Sequence, residues 1–357
     1  MVQRQTVWLI TVFILLGLSF SGKALARTAA MQKPCANCHT MHMSQNGQPI
    51  IGERGNTERQ DALMNDSCVG CHTTSSVGFD EGGTIKPFVW HIANPGYNEM
   101  SDVTQPTLAG GNFYWVAGGA DLKGHNVEGI VAAQTSRTPP GGSTAFPTLR
   151  CAGENGCHGD TAVVSQAESI RGSHHSNAAI DGSSVAASYR MLNGVDGRED
   201  PDWEYTLAAG DRNQYKGARR IFDSAWSPTL ISSFCARCHG NFHNDDGGGT
   251  GTAGASFSSP WIRHPVDIDI GGRTEYLYGG GGITAAFQVQ TPLGSETFTP
   301  TPRTTLDLSD TFGQGIITCI SCHRAHGSPY DYSLRWNYQA WPGAGYNGCG
   351  DCHTTKD

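Results

Sequence analysis

Twelve cysteines and fourteen histidines carry the reactive chemistry of this 357-residue chain, and they are not scattered. The cysteines form six pairs, each followed at once by a histidine: Cys35/Cys38-His39, Cys68/Cys71-His72, Cys151/Cys157-His158, Cys235/Cys238-His239, Cys319/Cys322-His323 and Cys349/Cys352-His353. Five of the six have the spacing Cys-x-x-Cys-His, the attachment sequence of c-type haem. The two thiols add to the porphyrin vinyl groups as thioethers, and the adjacent imidazole becomes the proximal iron ligand. The third pair has a five-residue spacer, whose Gly153 and Gly156 would let a longer loop fold over the porphyrin edge. A zinc ribbon needs no histidine directly after each cysteine pair, and a disulfide framework needs none at all. The expectation is therefore six covalently bound haem c groups.

Eight histidines remain after the six proximal ones: His42, His91, His125, His174, His175, His243, His264 and His326. Six irons with two axial imidazoles each would take six of these eight. Such an iron has no vacant position, so it passes electrons instead of binding a substrate. Which distal imidazole serves which iron is open at this stage. His326 stands three residues after His323, on the same side of its own haem, and is expected to serve a neighbouring haem; His42 repeats the arrangement after His39. One of the adjacent His174 and His175 is a plausible distal ligand, and His264 is held rigidly before Pro265. Met41 and Met43 are read as packing residues.

The elements that must position these groups are sparse. Residues 1–26 read as a secretory signal, with Arg4, an apolar run from Val7 to Phe20 and Ala24-Leu25-Ala26 as the cleavage site. That run is too short for a transmembrane anchor. Residues 27–357 are left as one hexahaem domain, about 55 residues per haem, with 47 glycines and only 38% hydrophobic residues in the whole chain. The haems must then supply much of the apolar interior. The expected fold class is a multihaem cytochrome c, mostly coil and loops wrapped round a continuous haem array, with short α-helices and few short β-strands. Locally, a short strand is expected over Leu108–Val116, a surface loop over Thr135–Thr148, a helix over Pro228–Asn244, a flexible turn at Asp245–Gly249 and an irregular β-hairpin over residues 271–305. Removing Arg4 and Lys23 with the signal takes the net charge from −8 to −10, which argues against a nucleic-acid partner.

Several stretches resemble one family, the extracellular hexahaem filament cytochromes of the outer-membrane cytochrome S type. They are Cys-x-x-Cys-His-Thr-Met-His at 35–42, Lys-Gly-His-Asn at 123–126, Cys-Ala-x-Cys-His-x-x-x-His-Asn at 235–244, Arg-His-Pro at 263–265 and Cys-x-Ser-Cys-His-Arg-Ala-His at 319–326. The spacer at 151–157 and the His174-His175 pair depart from the pattern. The resemblance implies a secreted electron-transfer protein, not an enzyme, whose haems form one continuous stack. It also implies a head-to-tail homopolymer, His42 being donated to the haem on Cys319, Cys322 and His323 of the neighbouring subunit. A heterologous contact of that kind propagates as an open filament when its rotation does not close. Redox proteins and extracellular electron acceptors would be its partners. The competing readings are a monomeric periplasmic shuttle, in which His42 is satisfied within its own chain, and a multihaem reductase, against which stands the absence of a proximal lysine in every motif.

Overall fold

The computed structural model describes residues 44–45, 48–49, 68–74, 87–97, 108–131, 137–142, 145–174, 176, 178–206, 208–219, 227–240, 264, 266–272, 283–309, 313–340 and 346–353. The signal segment, Cys35, Cys38, His39, Met41, His42, Met43, His175, His243 and Asp245–Gly249 lie outside the described residues. Cys71, expected as a thioether partner of Cys68, is described through its backbone alone, so the placement of its thiol lies outside the description as well.

Where Cys-x-x-Cys-His occurs among the described residues, the backbone makes about one helical turn. The helices are α1 (Cys68–His72), α2 (Tyr114–Ala117), α3 (Gln166–Ser169), α4 (Ile231–Ala236), α5 (Cys319–Cys322) and α6 (Cys349–Cys352). A helical turn sets residues three apart on one face, so the two thiols of α5, and likewise those of α6, point the same way. The following histidine closes the turn: the backbone N–H groups of His239, His323 and His353 donate to the carbonyls of Cys235, Cys319 and Cys349 at 3.0, 3.1 and 2.8 Å. Thr318 starts α5 with a reciprocal capping box to Ser321.

Helix α4 is shorter than the stretch expected from Pro228 onward. Leu230 caps it, and after Ala236 the chain tightens, Arg237 and Cys238 bonding three residues back to Phe234 and Cys235. The strand expected over Leu108–Val116 is absent. The Asn112 side chain accepts a hydrogen bond from the Tyr114 N–H at 2.9 Å and initiates the turn of α2 instead.

Among the described residues, twelve short strands pair two by two. β1 (Ser44–Gln45) and β2 (Gln48–Pro49), β7 (Gly197–Arg198) and β8 (Gln214–Tyr215), β9 (Ile268–Asp269) and β12 (Ile316–Ile317), and β10 (Thr284–Ala286) and β11 (Thr305–Asp307) are antiparallel. The last pair is the irregular hairpin expected in that region, extended two residues beyond 305. β3 (Thr73–Thr74) and β4 (Trp90–His91), like β5 (Arg150–Ala152) and β6 (Gly156–His158), are parallel.

Burial is divided among three small apolar clusters. One gathers Ile270, Phe287, Leu293, Leu306 and Leu308 against Cys352; a second gathers Val69, Phe113, Val127 and Ile130 against Cys151; the third gathers Tyr189, Val195, Tyr215 and Ile231 against Phe234 and Ile320. Each cluster thus abuts a cysteine motif. Among the described residues no helix is long and apolar enough to cross a membrane.

Candidate functional site

The third motif shows how local structure places the thiols. Chain 150–158 coils through one complete turn, helped by Gly153 and Asn155 at φ +75° and +61°. β5 and β6 then lie in parallel register, Arg150 beside Gly156 and Ala152 beside His158. That register sets Cys151 beside Cys157. Gly156 makes the coil possible, since a Cβ there would stand 2.6 Å from the Ala152 Cα and carbonyl oxygen. The five-residue spacer therefore presents two neighbouring thiols, as the helical motifs α5 and α6 do. In the second motif the helical backbone of α1 carries both Cys68 and Cys71, and the Cys68 thiol is the one whose surroundings are described. The role of Cys71 as its thioether partner rests on the sequence spacing.

Five imidazoles share one polarity. The Nδ1 atoms of His72, His125, His158, His239 and His323 lie 2.8, 2.6, 2.8, 2.7 and 2.7 Å from the backbone carbonyls of Pro87, Ala325, Arg190, Pro140 and Tyr332. A carbonyl can only accept, so each Nδ1 carries the proton and each Nε2 keeps its lone pair. A hydrogen bond behind the ring in this way fixes its tautomer and leaves the other nitrogen free to meet a metal. Burial lowers the pKa of His125, His158 and His323, and it pushes His326 down to about 3. Neutral rings result, the form that ligates iron.

His91 is the exception. Asn112 Oδ1 is taken by the N–H groups of His91 and Tyr114, which turns its amide nitrogen toward His91 Nδ1 at 2.5 Å. The proton of that ring sits on Nε2.

These rings meet in pairs. Centroids of His72 and His174 are 6.3 Å apart, of His125 and His239 6.1 Å, of His158 and His326 6.3 Å, and of His264 and His353 6.1 Å. A metal–imidazole nitrogen bond of about 2.0–2.1 Å, with about 1.1 Å more to each ring centre, puts two trans rings at about 6.3 Å. The residues present therefore fit an iron between each pair. Each pair joins a histidine of a cysteine motif to one of the remaining candidates. The candidates so paired are His174, His125, His326 and His264.

Two of the carbonyl acceptors are built identically. Arg190 and Met191 (φ +48° and +58°) and Tyr332 and Ser333 (φ +62° and +55°) are consecutive left-handed residues. The first residue of each pair accepts from the histidine Nδ1. The second accepts from the backbone N–H that follows the histidine, Gly159 to Met191 at 2.7 Å and Arg324 to Ser333 at 2.8 Å. Non-glycine left-handed residues cost about 1–2 kcal/mol each, and they persist where surrounding structure over-determines them. Arg190 is held by hydrogen bonds to the Asp200 carbonyl and Asn213 Oδ1 at 2.8 and 3.0 Å and by the Trp203 ring beneath its guanidinium. These clamps, with Pro87 and Pro140, are functional residues that sequence reading missed. Proline is visible in a sequence, but the use of its carbonyl is not.

From the second motif onward, the described motifs also lie next to one another in chain order. Gln166 Oε1 receives the Cys68 thiol at 3.8 Å and the Ala152 N–H at 3.0 Å, joining the second motif to the third. Burial, then the nearby Cys238, pushes Cys157 up to about 11, which joins the third to the fourth. The Cys319 N–H donates to Ser232 Oγ at 3.4 Å, joining the helix of the fourth motif to that of the fifth. Burial, then Cys349, pushes Cys322 up to about 12, and burial, then Cys322, does the same to Cys352. The segment His323-Arg324-Ala325-His326 serves three sites: its own through His323, His125 through the Ala325 carbonyl, and His158 through His326.

A family model of the doubled CXXCH motif matches residues 312–357. The C-type cytochrome OmcS of Geobacter sulfurreducens is 24% identical over 355 residues, covering 85% of this chain and 78% of that protein. An outer membrane cytochrome S filament from the same organism matches with a TM-score of 0.43 at 19% identity, covering 87% of this chain and 85% of that one. A structure of OmcS nanowires matches with a TM-score of 0.45 at 22% identity, covering 86% and 84%. The cysteine–histidine motifs and the short helices and strands among long loops give the chain the fold class of a multihaem c-type cytochrome, similar in sequence to OmcS.

Proposed function

We propose that the protein is a secreted hexahaem electron carrier whose bis-histidine irons form one conducting chain, continued from subunit to subunit in an extracellular filament. The observation that carries this reading is the set of four imidazole pairs at 6.1–6.3 Å on motifs that lie next to one another in order. Haem bound at each motif would supply a one-electron iron couple. Among the described residues the chain fixes the motif rings of His72, His158, His239 and His323 by backbone carbonyls, and it brings a second imidazole to three of these and to His353. With both axial positions taken, electron transfer is the chemistry left to the iron.

The intersubunit step rests on His42 and His323. His323 is held by Tyr332 with its Nε2 directed away, and among the described residues no imidazole is paired with it. A neighbouring subunit's His42 in that place would fix the register of a heterologous, non-closing contact. The likeness to OmcS, known from filament and nanowire structures, supports the same reading.

The test combines mass spectrometry with electron microscopy of the secreted fraction. Six haem additions and filaments are expected from the native protein. His42→Ala should keep six haems, lose the filaments and leave one iron per subunit able to bind carbon monoxide. Normal filaments from that variant would return the protein to a monomeric carrier with His42 used internally.

A further inference from the structure

The His326 ring is seated against a glycine. A Cβ on Gly110 would stand 2.8, 2.9 and 3.3 Å from its Nδ1, Cε1 and Cγ. Atoms in ordinary contact stand about 3.5–4.0 Å apart, so no side chain fits between Gly110 and the imidazole. The backbone at Gly110 is not left-handed, and its conformation does not call for glycine. What excludes a side chain there is the ring. The neighbouring glycines serve another purpose. A Cβ on Gly111 would stand 2.0 Å from the Gly327 carbonyl oxygen, and one on Gly124 would stand 2.3 Å from the His326 carbonyl oxygen, so these two let backbone cross backbone.

Both sides of the contact are pinned. Under the ring, the Ala109 N–H donates to the Trp203 carbonyl at 3.0 Å, and Arg324 Nη1 donates to the carbonyls of Leu108 and Ala109 at 3.0 and 2.7 Å. The Gly110 carbonyl accepts from the His326 N–H at 2.6 Å, which ties the glycine to the backbone of the same histidine. Phe113 stacks on the imidazole at 4.7 Å with 26° between the planes. The ring atoms nearest Gly110 are Nδ1, Cε1 and Cγ, so Nε2 lies on the far side of the ring from the glycine. His158 stands 6.3 Å away, the spacing of two imidazoles across one metal.

We propose that Gly110 is a positioning residue for the third iron: by carrying no side chain it lets the His326 imidazole reach the metal opposite His158. The inference rests on the haem reading above. Opening the contact from 2.9 Å to about 3.5 Å would move the ring or the loop by about 0.6 Å, and metal sites are held to within about 0.5 Å of their working geometry. A single methyl group is therefore enough to disturb the bond. Gly110 supplies no ligand and acts through the imidazole alone.

The experiment compares the full secreted protein with its G110A, G118A and H326A variants and the double variant G110A/H326A. Haem additions are counted by mass spectrometry, axial ligation is read by electron paramagnetic resonance, and open irons are counted by carbon monoxide titration after reduction. G118A is the control, since a Cβ there meets nothing within 4 Å, and it should match the native protein. G110A is expected to keep the full haem complement, lose one low-spin signal and bind one more carbon monoxide per subunit than the native protein. The double variant should bind no more than G110A, because both changes open the same iron; a second open iron would refute the proposal. A G110A protein with the native spectrum and carbon monoxide count overturns it, and so does an equal change in G118A. Should G110A lose the third haem, the double variant decides: recovery of that haem shows that the clash was with the ring, and continued loss refutes the proposal. If H326A itself keeps every haem and opens no iron, the pairing of His326 with His158 fails instead, and with it the reading beneath the proposal.

Discussion

The third and fifth motifs solve one problem with different backbones. At Cys319–Cys322 a single capped helical turn sets the thiols on one face, where residues three apart stand about 5–6 Å from each other. At Cys151 and Cys157 the chain coils into two parallel strand segments, where neighbours stand about 4.8 Å apart. The two routes deliver the thiols at nearly the same separation. Behind the imidazole there is no such freedom. Both histidines are clamped by two consecutive left-handed residues, Arg190-Met191 for His158 and Tyr332-Ser333 for His323. Attachment tolerates variation in the linker, whereas the orientation of the ring that meets the metal is reproduced in detail.

The largest expected effect breaks the comparison at the coil. Gly156→Val would force a Cβ to within 2.6 Å of Ala152 backbone atoms, so β5 and β6 could not stay in register. The third haem should be lost, and mass spectrometry should count one addition fewer. The fifth motif, built on a helix, should keep its own. Retention of every haem in this variant would show that the parallel coil is dispensable.

Next in size is removal of a shared ring. His326 stacks on Phe113 at 4.7 Å and faces His158, although it belongs in sequence to the fifth motif. His326→Ala should therefore leave the iron of the third motif, not the fifth, with an open position. One high-spin signal in electron paramagnetic resonance, with the haem count unchanged, is the expected result. A fully low-spin spectrum would reassign the pair.

The sequence made the thiols, the proximal histidines and the surplus of distal candidates readable, because covalent attachment imposes strict residue types at strict spacing. It also made the scarcity of regular structure readable from glycine content and apolar fraction. The pairing of His326 with His158 was legible only as an exclusion, since three residues after His323 it could not serve its own haem. What stayed hidden was conformation carried by ordinary residues. Nothing in Ser188-Tyr189-Arg190-Met191 or Asp331-Tyr332-Ser333 announces left-handed backbone, for glycine and asparagine are the usual signs. The expected helix through Cys235 ran long for a related reason: the turn tightens at Arg237 and Cys238 to present His239 to Pro140, a demand set by tertiary contact.

The two clamps differ in what holds them, and that difference ranks the next effects. Arg190 is locked through its side chain, by Asp200, Asn213 and Trp203 and by a 3.7 Å ion pair with Glu199. Arg190→Gly keeps the permitted backbone and the hydrogen bond from the residue 190 N–H to Glu199, but it removes the guanidinium's contacts with Asp200, Asn213, Trp203 and Glu199, and it should cost about 3 kcal/mol or more. Denaturant unfolding followed at the haem absorbance band should show it. Tyr332→Val keeps a side chain but makes it β-branched at φ +62°, and should cost about 1 kcal/mol.

The smallest effect is the most discriminating. The Tyr332 side chain is largely exposed, at 64%, so little packing is lost when it is removed. Glycine there relieves a left-handed penalty of about 1 kcal/mol, and gives back about 0.5–1 kcal/mol through the greater freedom of its unfolded chain. The two nearly cancel. Tyr332→Gly should unfold within about 0.5 kcal/mol of the native protein and leave the His323 site spectroscopically unchanged, because the Tyr332 carbonyl, not its side chain, holds the ring. If instead this variant matched the loss seen for Arg190→Gly, the fifth motif's clamp would depend on its side chain after all. The two sites would then be alike in their locking as well as in their backbone.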